Sequence, residues 1–128
     1  MTSPQDILTV HQAFYDAFEQ MDIDAMGRIW SKGTSAICIH PGRSALRGWD
    51  QIRFAWEQIF QHTRQMDVKA DILTTEVSDT LAYMVVVENL VQVVPERRLE
   101  VQTMATNVFE RMGNTWYMVL HHGSPLMR

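Results

Sequence analysis

The hydrophobic pattern of this chain changes period once, at Asp67, and that switch limits the possible folds more than any other feature. Upstream, apolar side chains recur every three or four residues; downstream they alternate. Helices therefore come first and sheet afterwards. That order predicts an α+β domain with its helices on one face of a curved, mainly antiparallel sheet. At 128 residues, a single domain over 1–128 is large enough to bury its own core. No repeat, low-complexity stretch or linker divides it.

In the helical part, Ser3 reads as a cap, Pro4 suits the first turn and Asp6 favours the helix dipole. Ile7, Val10, His11, Phe14, Phe18 and Met21 form one apolar face, with Tyr15 beside it. His11 within that face reads as a core histidine. Asp22 caps a second, short helix whose inner edge is Met26, Ile29 and Trp30, and Lys32-Gly33-Thr34 ends it. A third helix buries Ile52, Trp56, Ile59 and Phe60, with Asp50 as its cap.

Between the second and third helices lies the stretch most suggestive of chemistry, Ile37 to Asp50. The run Ala36-Ile37-Cys38-Ile39 reads as a short strand that delivers His40 to a Pro41-Gly42 turn, followed by an open loop. A rigid strand that ends in an ionisable side chain is a common way to position a reactive group.

After Asp67, Val68, Ala70, Ile72 and Thr74 alternate with Lys69, Asp71 and Leu73, which leaves one face largely polar. Leu81 to Val94 is apolar on both faces, with Tyr83, Val85 and Val87 on one and Met84 and Val86 on the other; cover on both sides is expected. In Arg98 to Arg111, Leu99, Val101, Thr103, Ala105, Asn107 and Phe109 share a face. Thr115 to His122 is the last strand, stopped by Gly123-Ser124-Pro125. Four consecutive strands make an antiparallel meander.

Composition narrows the function. The net charge is −4 and Arg97-Arg98 is the densest basic spot, so no stripe follows a phosphate backbone and nucleic acid is not an expected partner. No run reaches bilayer length and no basic-then-apolar leader opens the chain, so no membrane association and a cytoplasmic location are expected. The lone cysteine, Cys38, forms no internal disulfide and reads as a small buried hydrophobe; a nucleophilic Cys38–His40 pair lacks a third orienting group. His11, His40, His62, His121 and His122 show no zinc-site spacing, and no phosphate loop or dinucleotide fingerprint is present. No metal and no cofactor are expected. Nine methionines suit irregular core gaps and varied apolar ligands.

Taken together, several pieces resemble the SnoaL-like group of the nuclear transport factor 2-like superfamily, which includes ketosteroid isomerase and scytalone dehydratase. They are Phe14, Tyr15 and Phe18 in the first helix; Trp30 at the end of the second; Ile39-His40-Pro41-Gly42 with Gly48-Trp49-Asp50-Gln51-Ile52; and the closing Trp116 to Pro125. The resemblance spans nearly the whole chain. It implies a cone, a bent sheet wrapped round the helices with a mostly apolar cavity, and a homodimer formed through the outer sheet face. Fold alone does not carry function.

In ketosteroid isomerase a carboxylate just before a proline, at this point in the chain, is the general base. Here the matching residue is His40 before Pro41, and an imidazole shuttles protons near neutrality. Tyr15 resembles the first-helix tyrosine that polarises a carbonyl, although a register one residue earlier places Phe14 there. The resemblance also implies that one of His121 and His122, whose side chains point to opposite faces, reaches the pocket. The expected site is thus His40 and Tyr15 as catalytic groups, with Phe14, Phe18, Trp30, Trp56, Met104, Asn107 and His122 against the ligand. The ligand is a small apolar, oxygenated molecule, and the reaction an isomerisation, dehydration or cyclisation. The alternative is a non-catalytic ligand-binding or dimerisation module, with His40 hydrogen-bonded in a strand-end turn.

Overall fold

The computed structural model describes residues 4–127, so the Ser3 cap lies outside the described residues. Three helices precede the meander: α1 (Pro4–Gln20), α2 (Ile23–Ile29) and α3 (Trp49–His62). The strands are β1 (Ile37–Ile39), β2 (Leu46–Arg47), β3 (Gln65–Val77), β4 (Leu81–Val94), β5 (Arg97–Met112) and β6 (Thr115–Pro125). They form one sheet in the order β2-β1-β6-β5-β4-β3. The four long strands are the expected meander. β1 joins beside β6 in parallel, which places Cys38 opposite His121 and Ile39 opposite His122.

α1 packs its apolar face down, burying Ile7, His11, Phe14, Tyr15 and Phe18. As expected, Asp22 caps α2, accepting from the Ala25 N–H at 3.0 Å. α2 stops at Ile29, before the expected Lys32-Gly33-Thr34. The chain turns extended at Trp30, which bridges to Met118 of β6, and the Ser31 N–H donates to the Met118 carbonyl at 2.9 Å. Pairing to the sheet, rather than a glycine, ends this helix.

α3 begins at Trp49, with Gly48 as its cap, so Asp50 sits inside the first turn instead of capping it. Gly48 holds φ +81° and ψ 153°, a region essentially confined to glycine. Its N–H donates to Ala36 at 2.8 Å and its carbonyl accepts from Ile52. This backbone pair fixes where α3 leaves the sheet and lets Ile52 and Trp56 become fully buried.

Three further departures from the sequence pattern follow from the sheet's geometry. Gly123-Ser124-Pro125 continues β6 opposite Ala105, Met104 and Thr103, because an edge beyond His122 was still available for pairing. The two-residue β2 forms inside what reads as open loop by pairing with β1. β4 is covered on one face only within this chain: Ala82, Met84, Val86 and Glu88 are buried, whereas Leu81 and Tyr83 are 47% and 43% exposed.

Two bulges reset the alternation. In β3 the register shifts between Ile72 and Thr74, and in β6 between the partners of Val108 and Phe109. The second places Met118 opposite Phe109 but Leu120 opposite Val108, so Val119 is the extra residue. Trp116 and Met118 point inward before it; His121 and Gly123 point inward after it.

Candidate functional site

Most of the interior beneath the sheet is apolar, and Phe14 sits at its centre. Its ring meets Tyr15, Phe18, Trp30, Trp56 and His121 at centroid separations of 4.9 to 6.4 Å. Against this apolar mass the polar groups that are buried stand out, because each needs a partner.

They form one connected network. α1 supplies His11 and Tyr15, β4 supplies Glu88, β5 supplies Thr103 and Asn107, and β6 supplies His121; all are 6% exposed or less. The Tyr15 hydroxyl donates to Glu88 Oε2 at 2.6 Å, and the Thr103 hydroxyl donates to Oε1 at 2.6 Å. Asn107 Nδ2 donates to the Tyr15 oxygen at 3.0 Å and lies 3.2 Å from His11 Nε2. Asn107 Oδ1 is 2.6 Å from His121 Nδ1. His121 Nε2 then stands 4.0 Å from Glu88 Oε2.

His40 lies half-buried at the edge of this network. Its Nε2 is 3.5 Å from Cys38 Sγ, and its ring meets Trp56 edge-on at 4.8 Å and His121 at 6.3 Å. The loop that follows is pinned to β6: a side chain at Gly123 would meet Pro41 at 3.3 Å. Residues 42–45 are exposed, so His40 is the member of the cluster nearest solvent.

Burial sets the charge states. It pushes the His40 and His11 imidazoles down to about 4, with His121 adding to each, and pushes His121 down to about 3. These three rings are neutral at pH 7. Burial raises the Glu88 carboxyl, against the hydrogen bonds from Thr103 and Tyr15 and the nearby His40, which lower it. Tyr15 and Cys38 are both pushed well up, chiefly by burial and then by Glu88. Cys38 is thus a buried thiol, as its apolar run suggests. Among the described residues no group of three or more His, Cys, Asp or Glu side chains is placed to hold a metal ion. No helix there is long and apolar enough to cross a membrane.

Of the residues expected in the site, the structure gathers Tyr15, Phe14, Phe18, Trp56, Asn107 and His40 around this cluster, and Trp30 adjoins through Phe14. Met104 and His122 lie elsewhere. Both alternate with buried neighbours and sit on the outer face of the sheet, Met104 half-buried and His122 exposed. His121 is the histidine that faces inward. Glu88 and Thr103 complete the network, and sequence reasoning passed over Glu88 altogether. Its signal was available: it falls two residues past Val86, in phase with Ala82 and Met84 on the buried face. A surface groove of about 660 Å³ lies apart from the cluster, lined among others by Glu19, Val68, Leu90, Val101 and Leu126.

A family model for the SnoaL-like domain matches residues 7–128, nearly the whole chain. The chain belongs to the SnoaL-like domain family. Its solved relatives share the nuclear transport factor 2-like fold. A protein from Thiobacillus denitrificans, provisionally named as a calcium/calmodulin-dependent protein kinase type II association domain, is 28% identical; the match covers 99% of this chain and 98% of that one, with a TM-score of 0.85. A Streptomyces avermitilis protein, provisionally named as a dehydratase, is 22% identical over 97% and 96% of the two chains, with a TM-score of 0.88. The F-box protein SKIP8 of Arabidopsis thaliana is 25% identical over 124 residues, which are 94% of this chain. The SnoaL-like chain spans about half the length of that curated relative, 50%.

Proposed function

We propose that this SnoaL-like protein binds a small apolar, oxygenated molecule beside His40 and moves a proton on it, in a cofactor-independent isomerisation, dehydration or cyclisation. One observation carries the reading: a connected set of buried Tyr, Glu, Asn and His side chains reaches from α1 across the sheet to a half-exposed neutral imidazole. A structural core has no need of so many buried ionisable groups, and such clusters concentrate where proton transfer occurs. His40 is the base, neutral at pH 7 and closest to solvent. Tyr15, whose hydrogen goes to Glu88 and whose oxygen accepts from Asn107, holds the Glu88 carboxyl in place instead of polarising the ligand oxygen as the resemblance implies. Among the described residues the buried indole N–H groups of Trp56 and Trp30 both find no hydrogen-bond partner, and Trp56, edge-on to His40, is the one placed to meet a ligand bearing an acceptor.

The test is deuterium uptake at the carbon beside the carbonyl of cyclohexanone in deuterium oxide. The wild-type protein accelerates it, and His40→Ala lowers the rate about 100-fold, the usual contribution of a positioned base, with little change in melting temperature. The base works only when unprotonated, so the rate falls as pH drops through about 4. Equal rates with and without His40 contradict the assignment, and a large loss of stability makes the residue structural.

A second reading is favoured by the bare outer face of the sheet. Tyr83, Val85, Val87, Met104 and Val108 line it, opposite the buried side of β4 and β5. A protein that uses this face to pair with a second copy, as a non-catalytic dimerisation or ligand-binding module, accounts for it. In that reading His40→Ala changes no exchange rate.

A further inference from the structure

We propose that Glu88 and His121 form a clamp for one hydroxyl oxygen of the ligand, seated between Glu88 Oε2 and His121 Nε2. This rests on the proton-transfer reading above and narrows its ligand to an alcohol. The basis is the direction of each hydrogen bond in the network. Asn107 Oδ1 only accepts, so the His121 nitrogen 2.6 Å away, Nδ1, carries a hydrogen. A neutral His121 then presents a bare Nε2. The Asn107 amide nitrogen only donates, so His11 Nε2 is bare as well and the Tyr15 oxygen is an acceptor. The Tyr15 hydrogen is left for Glu88 Oε2. Every polar atom of Asn107 is engaged by protein; it is a positioning residue that sets the tautomers of two histidines and the direction of one hydroxyl.

What remains open is the 4.0 Å between His121 Nε2 and Glu88 Oε2. This is too far for a direct hydrogen bond, whereas an oxygen about 2.8 Å from each atom bridges it. The titratable groups that act on Glu88 are Tyr15 from α1, Cys38 from β1, His40 just after that strand and His121 from β6. His121 is neutral and burying a lone carboxylate beside it is costly, so the pair keeps its proton on Glu88, as neutral carboxyl beside neutral imidazole. Glu88 then donates and His121 Nε2 accepts. A hydroxyl, which does both, satisfies the two walls. A ketone oxygen only accepts and leaves one wall unpaired, and a hydrocarbon leaves both.

Isotope-labelled imidazole nitrogens, followed by NMR, test the clamp on the intact chain. Without ligand, His121 is expected to show a hydrogen on Nδ1 and a bare Nε2; a hydrogen on Nε2 alone overturns the proposal. On titration, cyclohexanol shifts the His121 Nε2 signal and binds about 10-fold more tightly than cyclohexanone, the usual scale for one buried polar atom left unpaired. Glu88→Gln, whose carbonyl stays against the Tyr15 hydroxyl, makes both walls acceptors and lowers the cyclohexanol affinity about 10-fold. Equal affinities for alcohol and ketone, or no movement of His121 with either compound up to its solubility, overturn the clamp. If His40 signals move while His121 signals do not, the clamp falls and the His40 reading stands.

Discussion

Phe14→Ala is expected to destabilise the protein by about 3–5 kcal/mol, the loss seen when a fully buried aromatic ring is cut back in a packed core. Phe14 is 0% exposed and touches rings from α1, α3, β6 and Trp30 just past α2, so no single neighbour can collapse into the space it leaves. A domain of this size has about 5–15 kcal/mol in total, so the variant keeps only part of its stability. Urea denaturation checks this through the midpoint: a large fall at unchanged slope is the expected result. A loss below about 1 kcal/mol would show that the ring cluster is not the centre of the core.

The second large effect is on acid stability. His11 and His40 are held at about 4 and His121 at about 3 in the folded chain, whereas the same side chains titrate at 6.5 when unfolded. Between those values the unfolded chain binds more protons than the native one. Their contribution is therefore complete above pH 6.5 and is lost as pH falls towards 4, with a slope of about 1.4 kcal/mol per pH unit for each proton. Glu88 acts in the opposite sense. Its raised carboxyl favours the folded state below its ordinary 4.5, and that contribution is lost as pH rises through its folded value. Denaturation midpoints measured from pH 4 to pH 8 should rise steeply up to about 6.5, and Glu88→Gln should lose less stability than the wild type at the alkaline end. A profile flat between pH 4 and 6.5 would mean that these imidazoles are not buried neutral.

The helix-then-meander order was legible because each segment keeps a single period over many residues, from Ile7 to Met21 and from Leu81 to Phe109. The inward-facing set on α1 followed from the same spacing, as did Asn107 and Thr103 on β5. The errors lie where a period is broken. Alternation from Trp116 and Met118 carries Leu120 and His122 inward, and one extra residue at Val119 hands that place to His121. No local composition marks such a bulge; it arises from fitting β6 between β1 and a twisted β5. The cap of α3 was assigned to Asp50 and not Gly48 for a related reason, since backbone hydrogen bonds of Gly48 with Ala36 and Ile52 replace a side-chain cap. Glu88 was a different kind of omission: its phase was readable, but a carboxylate in an apolar strand looks like a surface residue until its partners on other strands are known.

An NMR pH titration of the imidazole protons of His11, His40 and His121 in the folded protein tests the neutral buried cluster most directly. Midpoints near 4 for His11 and His40, and near 3 for His121, are the predicted result. A midpoint close to 6.5 for His40 or His121 would place that ring in water and contradict the site described here.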